Sequence, residues 1–468
     1  MKNIIISIFT ALMIFSCTVD ESLNVDQKSP VNVPADGVFT NGTRNFFDLM
    51  NSCNVNTNVL RLYGQYWSQT TYPDESQYNQ TTRSIPDGIF RTSYRNSLQD
   101  LNDAKNILLS ETNPANLSGK LAVIEVMQVY IYSVLVDTFG DVPYTEALNA
   151  DITFPKYDDA HTIYLDLFTR LNAAIGDLNG VAFPADADPI YNGDVSLWKK
   201  AANSLKLRMA LRIADVDFAT AKTQAESAAS NLISSTSEDF GIQYLASAPN
   251  TNPLWVSLVQ SGRNDFVGSD TMINMMNNLG DPRLSSFFTT VDDVYIGGIY
   301  GEANSASSFS SLSDLLKQPD LLGTILSYTE VEFLLAEAIE RGINVGGTAE
   351  GHYNNAIAAS NAEWGVAADA AAAYIANPLV AYATAEGDWK QKIATQKWLA
   401  MFNNGMEGWT TYRLFDYPEL KILAADNKVP TRFLYPSNEA TLNGSNLDAA
   451  ASAIGGDTKS TKIFWDVN

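Results

Sequence analysis

The sequence predicts a mostly α-helical protein assembled from helical hairpins, with long irregular stretches and a few short strands between them. Three observations carry that reading. Apolar residues recur at spacings of three and four over many segments. Those segments fall into neighbouring pairs joined by short turns, as helical-hairpin repeats do. Runs rich in Asn, Asp, Gly, Ser and aromatic residues separate the pairs and suit ordered surface loops. No strict sequence period accompanies the pairing.

The chain begins with Lys2, an apolar run from Ile4 to Phe15, and the junction Ser16-Cys17. A positive start, a short apolar core and a small residue before the cut describe a secretory signal too short to span a bilayer. The cysteine directly after the small residue resembles a bacterial lipobox, in which that cysteine is lipidated and becomes the new N-terminus. Ile14 and Phe15 depart from the commoner residues there, and an ordinary cleaved signal is the alternative. Asp20 and Glu21 resemble the acidic export tag of lipoproteins displayed on the outer face of the outer membrane. Residues 1–16 are therefore expected to be a signal peptide and 17–33 a polar tether behind a lipidated Cys17.

Helices follow along the body. Pro86 and Asp87 form a good first turn for a helix over 86–110, which carries Phe90, Tyr94, Leu98 and Leu101 on one face. A long apolar helix is expected over 117–138, then helices at 158–179, 194–214 and 217–233. The strongest periodicity lies at 327–341, where Val331, Leu334, Leu335 and Ala338 align, and Gly342 ends it. A partner helix covers 348–363 and the last long one 388–403. Irregular stretches are expected at 64–85, 139–157, 180–193, 236–268, 280–324 and 417–468, with short strands at 241–245 and 293–300. Loops on a rigid scaffold are where a binding site is built.

Composition narrows the function. The formal net charge of −23 becomes −24 without residues 1–16, a surface that repels nucleic-acid backbones. A neutral polymer would have to be gripped by stacking and hydrogen bonds. No second apolar stretch is expected to reach spanning length, which leaves lipid as the only anchor. With Cys17 lipidated, Cys53 has no intrachain partner and reads as a small buried apolar residue. His161 and His352 are the only histidines and lie far apart, so no zinc site is expected. No cofactor is expected either. Asp186, Asp188, Asn192 and Asp194 could form a calcium loop, but they lack the EF-hand pattern and suit a solvated turn better.

Several motifs together resemble the SusD/RagB family of surface nutrient-binding lipoproteins, within it the second SusD-like subgroup. They run from Gln65-Tyr66-Trp67-Ser68-Gln69-Thr70-Thr71-Tyr72 through Phe139-Gly140-Asp141-Val142-Pro143-Tyr144 and Asp188-Pro189-Ile190-Tyr191-Asn192-Gly193-Asp194. Asn203-Ser204-Leu205-Lys206-Leu207-Arg208-Met209, Ser261-Gly262-Arg263, Asp281-Pro282-Arg283-Leu284, Gln396-Lys397-Trp398-Leu399-Ala400 and Trp409 to Arg413 continue the match. Leu414 departs, where relatives often carry a second arginine, and this puts a local salt bridge in doubt. The resemblance implies four helical-hairpin, TPR-like repeats supporting an irregular ligand-binding part, all within one domain over 34–468. It also implies a partner, a SusC-type TonB-dependent outer-membrane transporter, and a cargo that is usually an oligosaccharide. Relatives do not catalyse.

Candidate ligand-binding residues cluster in 63–78, where Tyr63, Tyr66, Trp67, Tyr72 and Tyr78 give five aromatics in 16 positions. An indole or phenol can meet the C–H face of a sugar while amides take its hydroxyl rim. Trp67 with Gln69, and Tyr72 with Tyr78 and Asn79, supply those parts. Tyr63 and Tyr66 read as core, Trp67 admits both roles, and Tyr72 and Tyr78 favour the surface beside Pro73. Arg263 and Asn264 offer directional donors, or equally a loop-locking salt bridge. Tyr295 and Tyr300 flank Gly297-Gly298, where strand packing competes with ligand contact. Trp198 and the cluster Trp389, Trp398, Phe402, Trp409 and Tyr412 read as core. Asp74-Glu75 is the only acidic pair in the aromatic segment, and adjacent residues point apart, unlike glycosidase carboxylates. No serine-hydrolase elbow, zinc-protease helix or phosphate loop is present. The reading is a binding protein rather than an enzyme; the rivals are a secreted all-helical glycoside hydrolase and a purely structural surface lipoprotein.

Overall fold

The computed structural model describes residues 33–424 and 427–468. The expected signal, Cys17 and all but the last residue of the expected tether lie outside the described residues.

Helices dominate, as the periodicity predicts. Helix α1 (Ala35–Asn51) packs on α2 (Gln99–Ser110), which continues an α segment at Ile85–Arg91 and a π segment at Thr92–Leu98. Helix α3 (Leu117–Phe139) pairs with α4 (Ala160–Asp177), and α5 (Val195–Arg212) with α6 (Phe218–Ala228). After α7 (Asp270–Leu279), α8 (Tyr328–Glu340) pairs with α9 (Ala349–Glu363), and α10 (Trp389–Ala400) with α11 (Gly405–Phe415). Neighbouring hairpins adjoin through α2–α3, α4–α5 and α5–α8, and α10 leans on α8. The first four hairpins thus form a continuous stack, interrupted in sequence, not in space, by residues 229–327.

The caps explain why most boundaries were readable. Asp159, Asp194, Asp217, Ser327, Thr348 and Asp388 each accept a first-turn amide proton at the N-terminus of α4, α5, α6, α8, α9 and α10. Several helices escaped the sequence pattern, α1, α7 and α11 among them, as did Ala368–Ile375 and Gly444–Ala453, the last inside a stretch expected to be irregular. Helix α1 is rich in Asn, Thr and Gly, poor helix formers, yet it buries Phe39, Phe46, Phe47 and Leu49. Its Gly42 sits where a Cβ would stand 2.9 Å from the Asp100 Cβ, so glycine permits the close approach of α1 to α2. Helix α11 contains two glycines but buries Trp409, Leu414 and Phe415.

Helix α3 corrects one expectation. It is long and apolar enough to cross a membrane by length and composition, although no such stretch was expected after the signal. Almost its whole length is buried among the other helices, so it is the core element of the stack. Leu414, the departure from the family pattern, packs with Ala394, Phe415, Ile463 and Trp465, an apolar substitute for a charged contact.

Charged side chains close the seam between hairpins. Arg208 of α5 grips Glu330 of α8 through Nε and Nη2 at 2.7 and 2.6 Å. Arg212 of α5 holds Glu407 of α11 at 2.7 and 2.8 Å and lies 3.3 Å from Asp137 of α3. All five residues are buried. Burial works against the Glu407 charge, but Arg208, Arg212 and Lys397 outweigh it and hold the group down to about 2. Trp465 donates to Asp137 at 2.8 Å, which ties the C-terminal segment to the same seam.

The strands are few and short. Strands β1 (Trp67–Gln69), β2 (Val142–Pro143), β3 (Tyr157–Asp158), β4 (Phe240–Ile242), β5 (Phe266–Gly268) and β6 (Gly323–Leu326) form three antiparallel two-stranded ladders, β1–β5, β2–β3 and β4–β6. The strand expected at 241–245 is β4. The one expected at 293–300 is absent among the described residues; isolated bridges Val291–Val294 and Ser269–Gly298 stand there instead. In the 186–194 loop, Asp188 accepts from the amides of Ile190, Tyr191 and Gly193 and from Trp198 Nε1, so its carboxylate locks a turn and seats a core tryptophan. Cys53 is buried, and burial pushes its thiol up to about 11.

Candidate ligand-binding site

The β1–β5 ladder decides which candidate residues meet. Its register pairs Trp67 with Gly268, Ser68 with Val267 and Gln69 with Phe266. One residue further, the Thr70 amide donates to the Asp265 carbonyl at 3.0 Å and the Thr70 hydroxyl to the Asn264 carbonyl at 2.6 Å. The two loops beyond the ladder, 70–73 and 261–265, therefore run side by side. Tyr72 stands on one at 60 % exposure, and Arg263 and Asn264 stand exposed on the other.

Arg263 is tied to Asp265 at 2.7 Å, and that pair favours its charged form. The loop-locking contact considered from sequence is thus present, and it fixes a guanidinium at the surface next to the Tyr72 loop. A recess of about 30 Å³ separates the two loops, with Val55, Arg83 and Phe266 in its wall. So shallow a depression encloses no small molecule, whereas an exposed phenol flanked by directional donors suits one face of an extended chain.

The remaining candidates lie inside. Strand alternation cannot expose Trp67, because both faces of β1 are covered. Its indole is 1 % exposed, stacks at a tilt on Phe266 with centroids 5.3 Å apart, and lies under the Arg61 guanidinium. Tyr78, expected at the surface, is buried edge-on against Tyr63, and its hydroxyl accepts from Gln65 Nε2 at 2.8 Å. Tyr300 is buried and donates to the Leu62 carbonyl at 2.6 Å. Gln69 is buried too. Its Nε2 donates to Glu75 at 2.5 Å while its carbonyl receives the Ser76 amide and hydroxyl, so it folds the loop back behind Tyr72. Of the seven ligand candidates, Tyr72, Arg263 and Asn264 form an exposed edge, Gln69 supports it, and Trp67, Tyr78 and Tyr300 belong to the core.

Sequence reasoning missed Arg83, which ion-pairs with buried Glu75 beneath the same loop. Only the fold brings it within reach of Tyr72, and no local pattern announces it. Nor did any motif point to two larger recesses elsewhere. One of about 780 Å³ lies between α7 and the 386–421 segment, and one of about 540 Å³ lies beside the C-terminal end of α9.

Fold and edge together define a helical-repeat protein that displays an exposed, loop-built edge. The comparisons with known proteins agree on the helical fold. A family described as SusD-like_2, starch-binding associating with outer membrane, matches residues 27–436, and the chain belongs to that family. Among solved structures, a chitin-binding protein aligns with a TM-score of 0.79 at 27% identity, covering 93% of this chain and 100% of its own. A chitin-binding SusD homologue from Flavobacterium johnsoniae aligns at 0.77 and 26% identity, covering 91% and 99%. A SusD homologue from Bacteroides uniformis aligns at 0.79 and 26% identity, covering 93% and 100%. No curated protein matches the chain by sequence.

Proposed function

We propose that the protein captures an oligosaccharide at the Tyr72–Arg263 edge and delivers it, uncut, to a SusC-type TonB-dependent transporter in the outer membrane. A lipid on Cys17 would hold it there, facing the outside. The observation that carries the reading is the β1–β5 ladder, which places an exposed phenol beside a fixed guanidinium and a free amide. The family description and the chitin-binding neighbours support a glycan as cargo. The hydrolase alternative gains nothing from the edge: Glu75 is buried against Arg83 and Gln69, and its neighbour Asp74 is half-buried on the same loop.

Titration with chitin- and starch-derived oligosaccharides tests the proposal. Tyr72→Ala is expected to weaken binding by ~1–2 kcal/mol, about ten-fold or more, with melting unchanged, because an exposed ring adds little to the core. The bound glycan should be recovered intact. Unchanged affinity in both Tyr72→Ala and Arg263→Ala would place the site elsewhere. Cys17→Ala should release the protein from the membrane fraction, and retention would remove the lipid anchor from the reading.

A further inference from the structure

The recess of about 540 Å³ beside α9 has a chemistry unlike the Tyr72 edge and shares no residue with it. Three carboxylates line it: Asp239 just before β4, Asp320 in the loop before β6, and Glu363 at the last turn of α9. No lysine, arginine or histidine lines it among the described residues. Trp364, Leu321 and Met401 give it an apolar side, and its size is that of a pocket for a small ligand.

Asp239 is 8 % exposed, and one of its oxygens accepts the Tyr328 amide at 2.7 Å. The other receives no hydrogen bond from the described residues. Glu363 is exposed at the rim of the recess, and no described residue donates to its carboxylate or pairs with it. Elsewhere in this fold, the enclosed carboxylates Glu330, Glu407 and Asp281 are matched by arginines and Asp188 by amides and an indole. Here the surrounding charges leave a deficit. Glu363 feels Arg283, itself engaged with Asp281, while Asp239 faces Glu363, Glu330 and Glu238. Burial, with Glu363 next, pushes Asp239 up to about 8.

We propose that this recess is a second binding site, one that takes the protonated amine of a small organic cation, with the amine between Asp239 and Glu363 and the body against Trp364 and Met401. Charge-assisted hydrogen bonds from an ammonium satisfy both carboxylates, and the apolar wall rewards a carbon frame. A bare metal ion fits less well, since no cluster of three or more acidic, histidine or cysteine ligands converges among the described residues. The cation can be an amino sugar or an aliphatic amine, which share this chemistry.

Calorimetric titration with glucosamine, n-butylamine, N-acetylglucosamine and calcium chloride tests the site on the full chain. At least one of the two amines is expected to bind and the neutral N-acetylglucosamine to bind at least about ten-fold more weakly. Glucosamine binding alone identifies the sugar, butylamine binding alone the aliphatic amine, and either supports the site. Glu363→Gln, which breaks no hydrogen bond in the fold, should reduce amine affinity about ten-fold with unchanged melting, and Asp239→Asn should reduce it likewise without lowering the melting temperature. Affinity for n-butylamine should rise between pH 6 and 9, because Asp239 loses its proton there while an alkylamine stays charged until about pH 10. Binding of neither amine, equal binding of N-acetylglucosamine, preference for calcium, or indifference to both substitutions overturns the proposal.

Discussion

Between the helical hairpins, buried charges meet buried charges; around the 64–85 loop, buried rings meet backbone carbonyls. In the seam, Arg208 and Arg212 bridge α5 to α8, α11 and α3. In the loop, Tyr66 donates to the Trp398 carbonyl at 2.6 Å, and Trp398 returns a bond to the Gly64 carbonyl at 2.9 Å. Both arrangements join segments remote in sequence. They differ in what they tolerate. An ion pair out of water is stable only while both partners are present, since either alone is an uncompensated charge. A ring contributes by filling space, so its loss opens a cavity. The loop region can therefore expose one ring, Tyr72, without disturbing the rest, whereas the seam can spare none of its members.

Four substitutions probe that difference. The largest effect is expected from Trp67→Ala, which should cost about 4 kcal/mol by emptying a filled site and abolish binding only by unfolding, seen as a lowered melting temperature. Glu407→Ala should cost roughly 3–4 kcal/mol because it takes from buried Arg212 the carboxylate it holds with two hydrogen bonds. Glu407 also sets an acid limit. Its folded value near 2 lies below its ordinary one, so its contribution is complete above about pH 4.5 and lost as pH falls toward 2. Acid melts of the parent should show a loss in that window that the Glu407→Ala variant lacks. Asp239→Asn should act in the opposite sense. A carboxyl raised to about 8 penalises the folded state as pH climbs from about 4 to 8, so the variant should gain on the order of 1–3 kcal/mol over the parent at pH 9 and little at pH 4. The smallest effect, about 1 kcal/mol, is expected for Asp194→Ala, which removes the cap from α5 but touches neither seam nor loop. Equal costs for Asp194→Ala and Glu407→Ala would mean that the seam is no more than a set of local contacts.

What the sequence disclosed followed the range of the forces involved. Helices with a capping side chain and an apolar stripe, such as α4 and α8, were placed within a few residues, because both signals are local. Helix α1 was missed because its Asn, Thr and Gly are poor helix formers, although Phe39, Phe46 and Phe47 mark a buried side at helical spacing. The aromatic segment was located correctly as unusual, but its members could not be sorted. Tyr72 and Tyr78 look alike in sequence; one is exposed and the other lies beneath Tyr63 and Tyr300, chain segments that only the fold brings there. Arg263 and Asn264 gained their place from the same long-range pairing with β1. The recess beside α9 was unreadable for that reason too, since its carboxylates come from three separate stretches of chain.

The β1–β5 ladder also dictates an order of events during synthesis. Thr70 waits for Asn264, 194 residues later, before the two loops of the edge can lie together. Contacts so distant in sequence form late, after the local hairpins have already condensed. A chain halfway through translation lacks residues 261–265 and has no second loop to set beside Thr70. The edge thus completes only near the end of folding, so a protein caught unfinished would carry Tyr72 without the Arg263 and Asn264 that flank it in the finished structure.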